Sequence, residues 1–111
     1  MKLLTKELKA KIPVLYSQEN EADPMVVCKF FDPSGSWTWY VLEGEEKEYD
    51  YGSDVLFFGY VVGFEKELGY FTLHELETAK QGLTGLKALP IERDIYFTPC
   101  RLSEVINKHM E

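Results

Sequence analysis

From Asp54 the chain runs Val55-Leu56-Phe57-Phe58-Gly59-Tyr60-Val61-Val62, which places apolar side chains on both faces that an extended strand presents. Such a strand is stable only where both faces are covered, so this segment predicts the middle of a sheet with packing on either side. The apolar run ends at Phe64 with Gly59 and Gly63 inside it. It is about half the length that a membrane-spanning helix needs.

Covering two faces of a sheet takes large apolar side chains, and the chain has them: 45% of its 111 residues are hydrophobic and 14% aromatic. That length and content predict one domain, residues 1–111, with one real core and no need of disulfide staples. Cys28 and Cys100 are far apart and outside any CxxC, too few for the framework of a small secreted domain. The N-terminal segment interrupts its leucines with lysines, unlike a signal peptide, so a reduced, cytoplasmic setting is expected. Charge is unevenly distributed: residues 1–12 carry +3, whereas the remainder carries -10, for a total of -7. An acidic body repels a phosphate backbone at long range.

The rest of the chain reads as a compact α+β domain. Leu4, Leu8 and Ile12 recur at spacing four, a short helix over 5–12 ended by Pro13. Met25–Phe31 is rich in β-formers, Asp32–Ser36 is a turn cluster, and Trp37–Leu42 follows as a second strand. Alternation puts Trp37, Trp39 and Val41 on one face and Thr38, Tyr40 and Leu42 on the other. Residues 43–54 hold six carboxylates against Lys47 alone, which predicts an extended, exposed connection. The strand at 54–62 comes next, and Phe64–Phe71 continues as a fourth, giving an antiparallel meander of four to five strands. Thr72 and Glu75 have the spacing of a capping box opening a helix over 73–81, with Gly82 as its stop. Residues 81–90 read as loop, Ile91–Phe97 as extended, and Ser103 as the cap of a last helix over 103–110. The three helices are expected mainly on one face of the sheet.

Several stretches together resemble a known family: Lys29-Phe30-Phe31-Asp32-Pro33, Trp37-Thr38-Trp39-Tyr40, Phe57-Phe58-Gly59, Glu67 through Glu77, and Leu89-Pro90-Ile91-Glu92-Arg93-Asp94. With Leu3-Leu4-Thr5 and the segment from Pro99 to Glu104, the chain is similar over nearly its whole length to domain of unknown function 2958. The resemblance implies a short bacterial protein of a kind often encoded on plasmids and conjugative elements, with no assigned activity. Two segments depart from the family pattern: the acidic stretch around Glu43–Asp50 and the longer connection after Lys80-Gln81-Gly82.

Candidate chemistry has to be weighed against plainer roles. Cys28, Cys100, His74 and His109 sit at no metal-ligand spacing, so neither a metal nor a cofactor is expected. Cys28, inside an apolar strand, reads as core filler rather than nucleophile. Glu65 with Glu67, and Glu92 with Asp94, stand two apart and would share a strand face. Such pairs suit an unrecognised carboxylate enzyme, but a solvated face is the stronger reading. The Glu92-Arg93-Asp94 string suits a structural salt-bridge hub.

Trp37, Trp39 and Tyr40 with Lys2, Lys6 and Lys9 would suit contact with single-stranded nucleic acid, if an aromatic face were open beside the lysines. The acidic excess also permits a DNA-mimic or anti-restriction role. The leading expectation is a non-catalytic accessory protein that binds a macromolecular partner, most simply another protein. Its site is placed around Trp37, Trp39, Glu67, Tyr70, Glu92, Arg93 and Asp94.

Overall fold

The computed structural model describes residues 2–79 and 89–110. In chain order these form α1 (Lys6–Lys11), β1 (Met25–Val26), β2 (Cys28–Phe31), β3 (Thr38–Tyr49), β4 (Gly52–Val62) and β5 (Lys66–Thr72). After them come α2 (Leu73–Thr78), β6 (Glu92–Arg93), β7 (Cys100–Arg101) and α3 (Leu102–Lys108). Five strands make one antiparallel sheet in the order β5-β4-β3-β2-β6, and β1 pairs with β7 in a small second sheet. The fold is therefore α+β, with a β2–β5 meander extended at one edge by β6.

The two-faced strand is β4, and both of its faces are covered, as its composition requires. Phe57 belongs to a buried cluster with Phe30, Trp39, Val41, Phe71 and Leu76, over which α1 and α2 pack. Tyr60 and Val62 belong to a second cluster with Tyr40, Leu42, Leu102 and Val105, covered by α3. Two helices thus share one face and the third takes the other. The central strand is β3 rather than β4, because β6 adds a fifth strand beyond β2.

The expectation of a loose acidic connection at 43–54 is overturned: these residues are the long β3–β4 hairpin. Tyr49 pairs with Gly52 around a two-residue turn, and Gly52 takes φ of 120°, which costs little only without a Cβ. Successive side chains point to opposite faces, so the carboxylates are divided rather than crowded. They also have partners: Glu46 meets Lys9, Glu45 lies 3.4 Å from Lys47, and Glu48 accepts from Ser53.

A bulge between Val41 and Glu43 inserts Leu42 as an extra residue. It shifts the alternation by one, so that Glu43 follows Leu42 onto the α3 face instead of entering the cluster beneath α1. There the buried Glu43 carboxylate accepts from the backbone N–H groups of Tyr16 (2.8 Å) and Gln18 (2.9 Å) and fixes the 14–22 loop.

The helix starts are held by side chains. Thr72 and Glu75 form the expected capping box at α2. Asp54, buried in β4, adds a second acceptor there, taking N–H bonds from Val55 (2.7 Å) and His74 (3.1 Å) and the hydroxyl of Tyr51. Burial alone would raise the Asp54 carboxyl, but these bonds outweigh it and hold it below the ordinary aspartate range. The expectation that Ser103 caps the last helix is corrected: α3 begins at Leu102, and Asp23 from a distant loop accepts from Ser103 N (2.9 Å) and Oγ (2.6 Å). The last turn expected of α2 and its Gly82 stop lie outside the described residues.

Candidate functional site

Residues opposite one another in an antiparallel pair share a face. Val61 is opposite Trp39 on one side and Glu67 on the other, so these three line the α2 face in a row. Trp37 stacks on Trp39 with ring centres 5.9 Å apart, and Phe64 meets Trp37 edge to face at 5.3 Å. Gly63 makes this arrangement possible, since a Cβ there would fall 2.4 Å from the Trp37 ring.

The result is a groove of about 360 Å³. Its floor is the buried Trp39 with Val61 and Phe71, and its aromatic end is Trp37 and Phe64. Its rim is the exposed trio Glu65, Glu67 and Glu75. Phe64 is 91% exposed, an unusual position for a phenylalanine in a small domain with a closed core. Gly69 leaves bare space within the groove, because a Cβ there would touch nothing within 4 Å.

The expected site residues do not form one constellation. Trp37, Trp39 and Glu67 come together in the groove, which Tyr70 also borders. Tyr70 stands three positions after Glu67 on β5 and so points its side chain to the opposite face, where it packs on Phe58 at 4.9 Å between ring centres. There it helps line a second cleft, of about 430 Å³, with Tyr16, Leu68, Phe58 and Glu43, and with Glu19 and Glu21 close by. A hydrogen bond with Tyr16 pushes the Tyr70 phenol up from its ordinary value, aided by burial and by Glu43 and Glu19.

Glu92, Arg93 and Asp94 lie beyond β2, on and just after the β6 edge, and the latter two have structural work. One guanidinium nitrogen of Arg93 donates to the carbonyls of Lys2 (2.9 Å) and Leu3 (2.8 Å), tying the N-terminal segment to the sheet. Asp94 lies 3.6 Å from the Lys29 ammonium and accepts from Tyr96 N at 3.0 Å. Glu92 and Asp94 do not share a strand face, since β6 ends at Arg93.

The nucleic-acid arrangement requires Trp37 or Tyr40 open beside the N-terminal lysines; Trp37 is half-buried in the groove, and Tyr40 is 2% exposed. It lies in the cluster beneath α3, on the opposite side of the sheet from α1, with its hydroxyl 2.7 Å from His109 Nε2. Burial, then the nearby Lys108, Lys66 and Lys29, hold His109 below its ordinary value. Lys9 is engaged with Glu46.

Cys28 and Cys100 are free thiols. Burial pushes Cys28 up to about 12, the behaviour of core filler rather than a nucleophile. Among the described residues no group of three or more His, Cys, Asp and Glu side chains is placed to hold a metal ion, and no helix is long and apolar enough to cross a membrane.

Sequence reasoning missed Phe64 by placing it at the start of the fourth strand; β5 begins only at Lys66, and Phe64 lies in the turn before it. It also missed Glu43 and Asp54 as buried acids. The split between Glu67 and Tyr70 was available from strand parity alone.

Fold and site together define a small α+β sheet protein with an aromatic groove rimmed by carboxylates. The chain belongs to the family described as protein of unknown function (DUF2958), whose profile matches residues 3–109. No curated protein and no solved structure matches it.

Proposed function

We propose that the protein is a small acidic accessory protein that works by binding a macromolecular partner through the Trp37–Phe64 groove. One observation carries this reading: Phe64, 91% exposed, stands edge-on to the Trp37 ring above a floor of buried apolar side chains. An aromatic side chain left in water makes no contribution to the core, and its apolar area becomes useful when a second surface covers it. Aromatic residues of this kind are the usual anchors of protein interfaces. The rim of Glu65, Glu67 and Glu75 gives the groove a sign and therefore a selectivity. A cytoplasmic setting and a mobile-element context are part of the proposal.

The test is photocrosslinking in the native cells, with p-benzoylphenylalanine replacing Phe64 in one variant and Tyr96 in another. Tyr96 is 88% exposed and lies outside the groove, so it serves as the control. The proposal expects a discrete adduct from position 64 that position 96 does not give. The same adducts from both positions, or none from position 64, would contradict it.

A further inference from the structure

The sheet has two edges of different character. At one, β6 is only two residues long, and such shortness blunts an edge against pairing with other chains. At the other, β5 runs seven residues in unbroken register with β4, without proline or bulge, and no strand among the described residues pairs with its outer side. Its charges, Lys66 and Glu67, sit at one end, and Leu68-Gly69-Tyr70-Phe71-Thr72 is uncharged. A strand edge of this length and regularity presents a row of unpaired backbone donors and acceptors, which is what an added strand uses.

The groove and the second cleft described above both flank this one edge. On the α2 face, Glu67 and Gly69 lead into the Trp37–Phe64 groove. On the α3 face, Leu68 and Tyr70 lead into the cleft of Tyr16 and Glu43. Side chains of an added strand alternate between faces, so one extended segment would enter both. Each cleft pairs aromatic rings with carboxylates: Glu65, Glu67 and Glu75 on one side, Glu19, Glu21 and Glu43 on the other. That combination attracts cations, through ring faces and through charge.

Building on the binding role proposed above, we infer that the partner contributes an extended polypeptide segment bearing lysine or arginine, which adds to β5 as a sixth strand and sends its cationic side chains alternately into the two clefts. A second copy of this chain is a poor occupant, because pairing β5 with β5 would bring two acidic rims together between molecules of charge -7.

The probe is a synthetic peptide of about eight residues repeating Lys-Lys-Val-Val, long enough to pair along β5 and with neighbouring lysines on opposite faces. It is compared with a glutamate–valine peptide, with a lysine–valine peptide N-methylated at alternate residues, and with single-stranded oligothymidylate. Affinity is read by calorimetry, and amide hydrogen exchange is followed by NMR on the full chain. The lysine peptide is expected to bind, about tenfold more weakly when salt rises from 50 to 300 mM, and to protect alternate amides of β5. The glutamate and N-methylated peptides are expected not to bind.

Equal binding of the N-methylated lysine peptide would overturn strand addition while leaving the groove as the binding surface. Loss of that surface as well would show as lysine-peptide binding unchanged by Trp37→Ala. No binding of the lysine peptide, preferential binding of oligothymidylate, or a β5-mediated dimer in sedimentation would each overturn the inference.

Discussion

Two aromatic clusters grow from the same strand in opposite directions, and they have different fates. On one face of β3, Tyr40 joins Tyr60 and Phe97, is roofed by α3, and has its hydroxyl met by His109. On the other, Trp39 carries Trp37 and Phe64 outward until the last ring stands in solvent beside three carboxylates. The residue types are alike, and what differs is the element placed over them. A covered cluster contributes to stability; an uncovered one of the same chemistry has its apolar surface left for a partner.

This contrast can be broken most forcefully at Tyr40. Truncating it to alanine removes a large buried ring and is expected to cost about 3–5 kcal/mol in denaturant unfolding. A loss below about 1 kcal/mol would mean that the α3 side is not the closed core described here. Tyr40→Phe sharpens the point, because it keeps the ring and removes only the hydroxyl that faces His109. Its expected cost is about 0.5–1.5 kcal/mol, that of one hydrogen bond.

His109 gives the same cluster a pH signature. Its folded-state value lies below the ordinary 6.5, so the unfolded chain takes up the proton first as pH falls. Stability from this group is therefore complete above about pH 6.5 and declines as pH drops from there toward the lower folded value. Melting temperature followed between pH 7.5 and 5 should show that decline in the wild type and a flatter profile in His109→Gln. The smallest expected effect is at Phe64: Phe64→Ser should change stability by no more than about 0.5 kcal/mol while abolishing partner capture.

Much of this architecture was legible because local chemistry and tertiary packing agree. The alternation from Trp37 to Leu42 divides between the two clusters as the strand period requires, and Thr72 with Glu75 caps α2 at the expected residue. The hairpin at 43–54 was not legible, because charge density was read without the pleat that separates neighbouring carboxylates. Asp50 and Gly52 were the available turn signal, and in the structure the flanking Tyr49 and Tyr51 stack with ring centres 5.3 Å apart. The bulge that turns Glu43 toward Tyr16 depends on pairing with β4, and no local pattern encodes that. For the candidate site, the aromatic pair and Glu67 could be read from sequence. Phe64 could not, since its position depends on where the β4–β5 turn carries it relative to Trp37.

The most direct test of the open-groove account uses Gly69. A Cβ there meets nothing within 4 Å, so a leucine can be introduced without a clash at its base and extends into the groove, and the chain's two tryptophans, Trp37 and Trp39, both line that groove and report its occupancy. Tryptophan fluorescence should change saturably when the Lys-Lys-Val-Val repeat peptide is titrated into the wild type. In Gly69→Leu the change should be lost while the melting temperature stays the same. A saturable change of equal size in the filled variant would contradict the account and place the working surface elsewhere on the molecule.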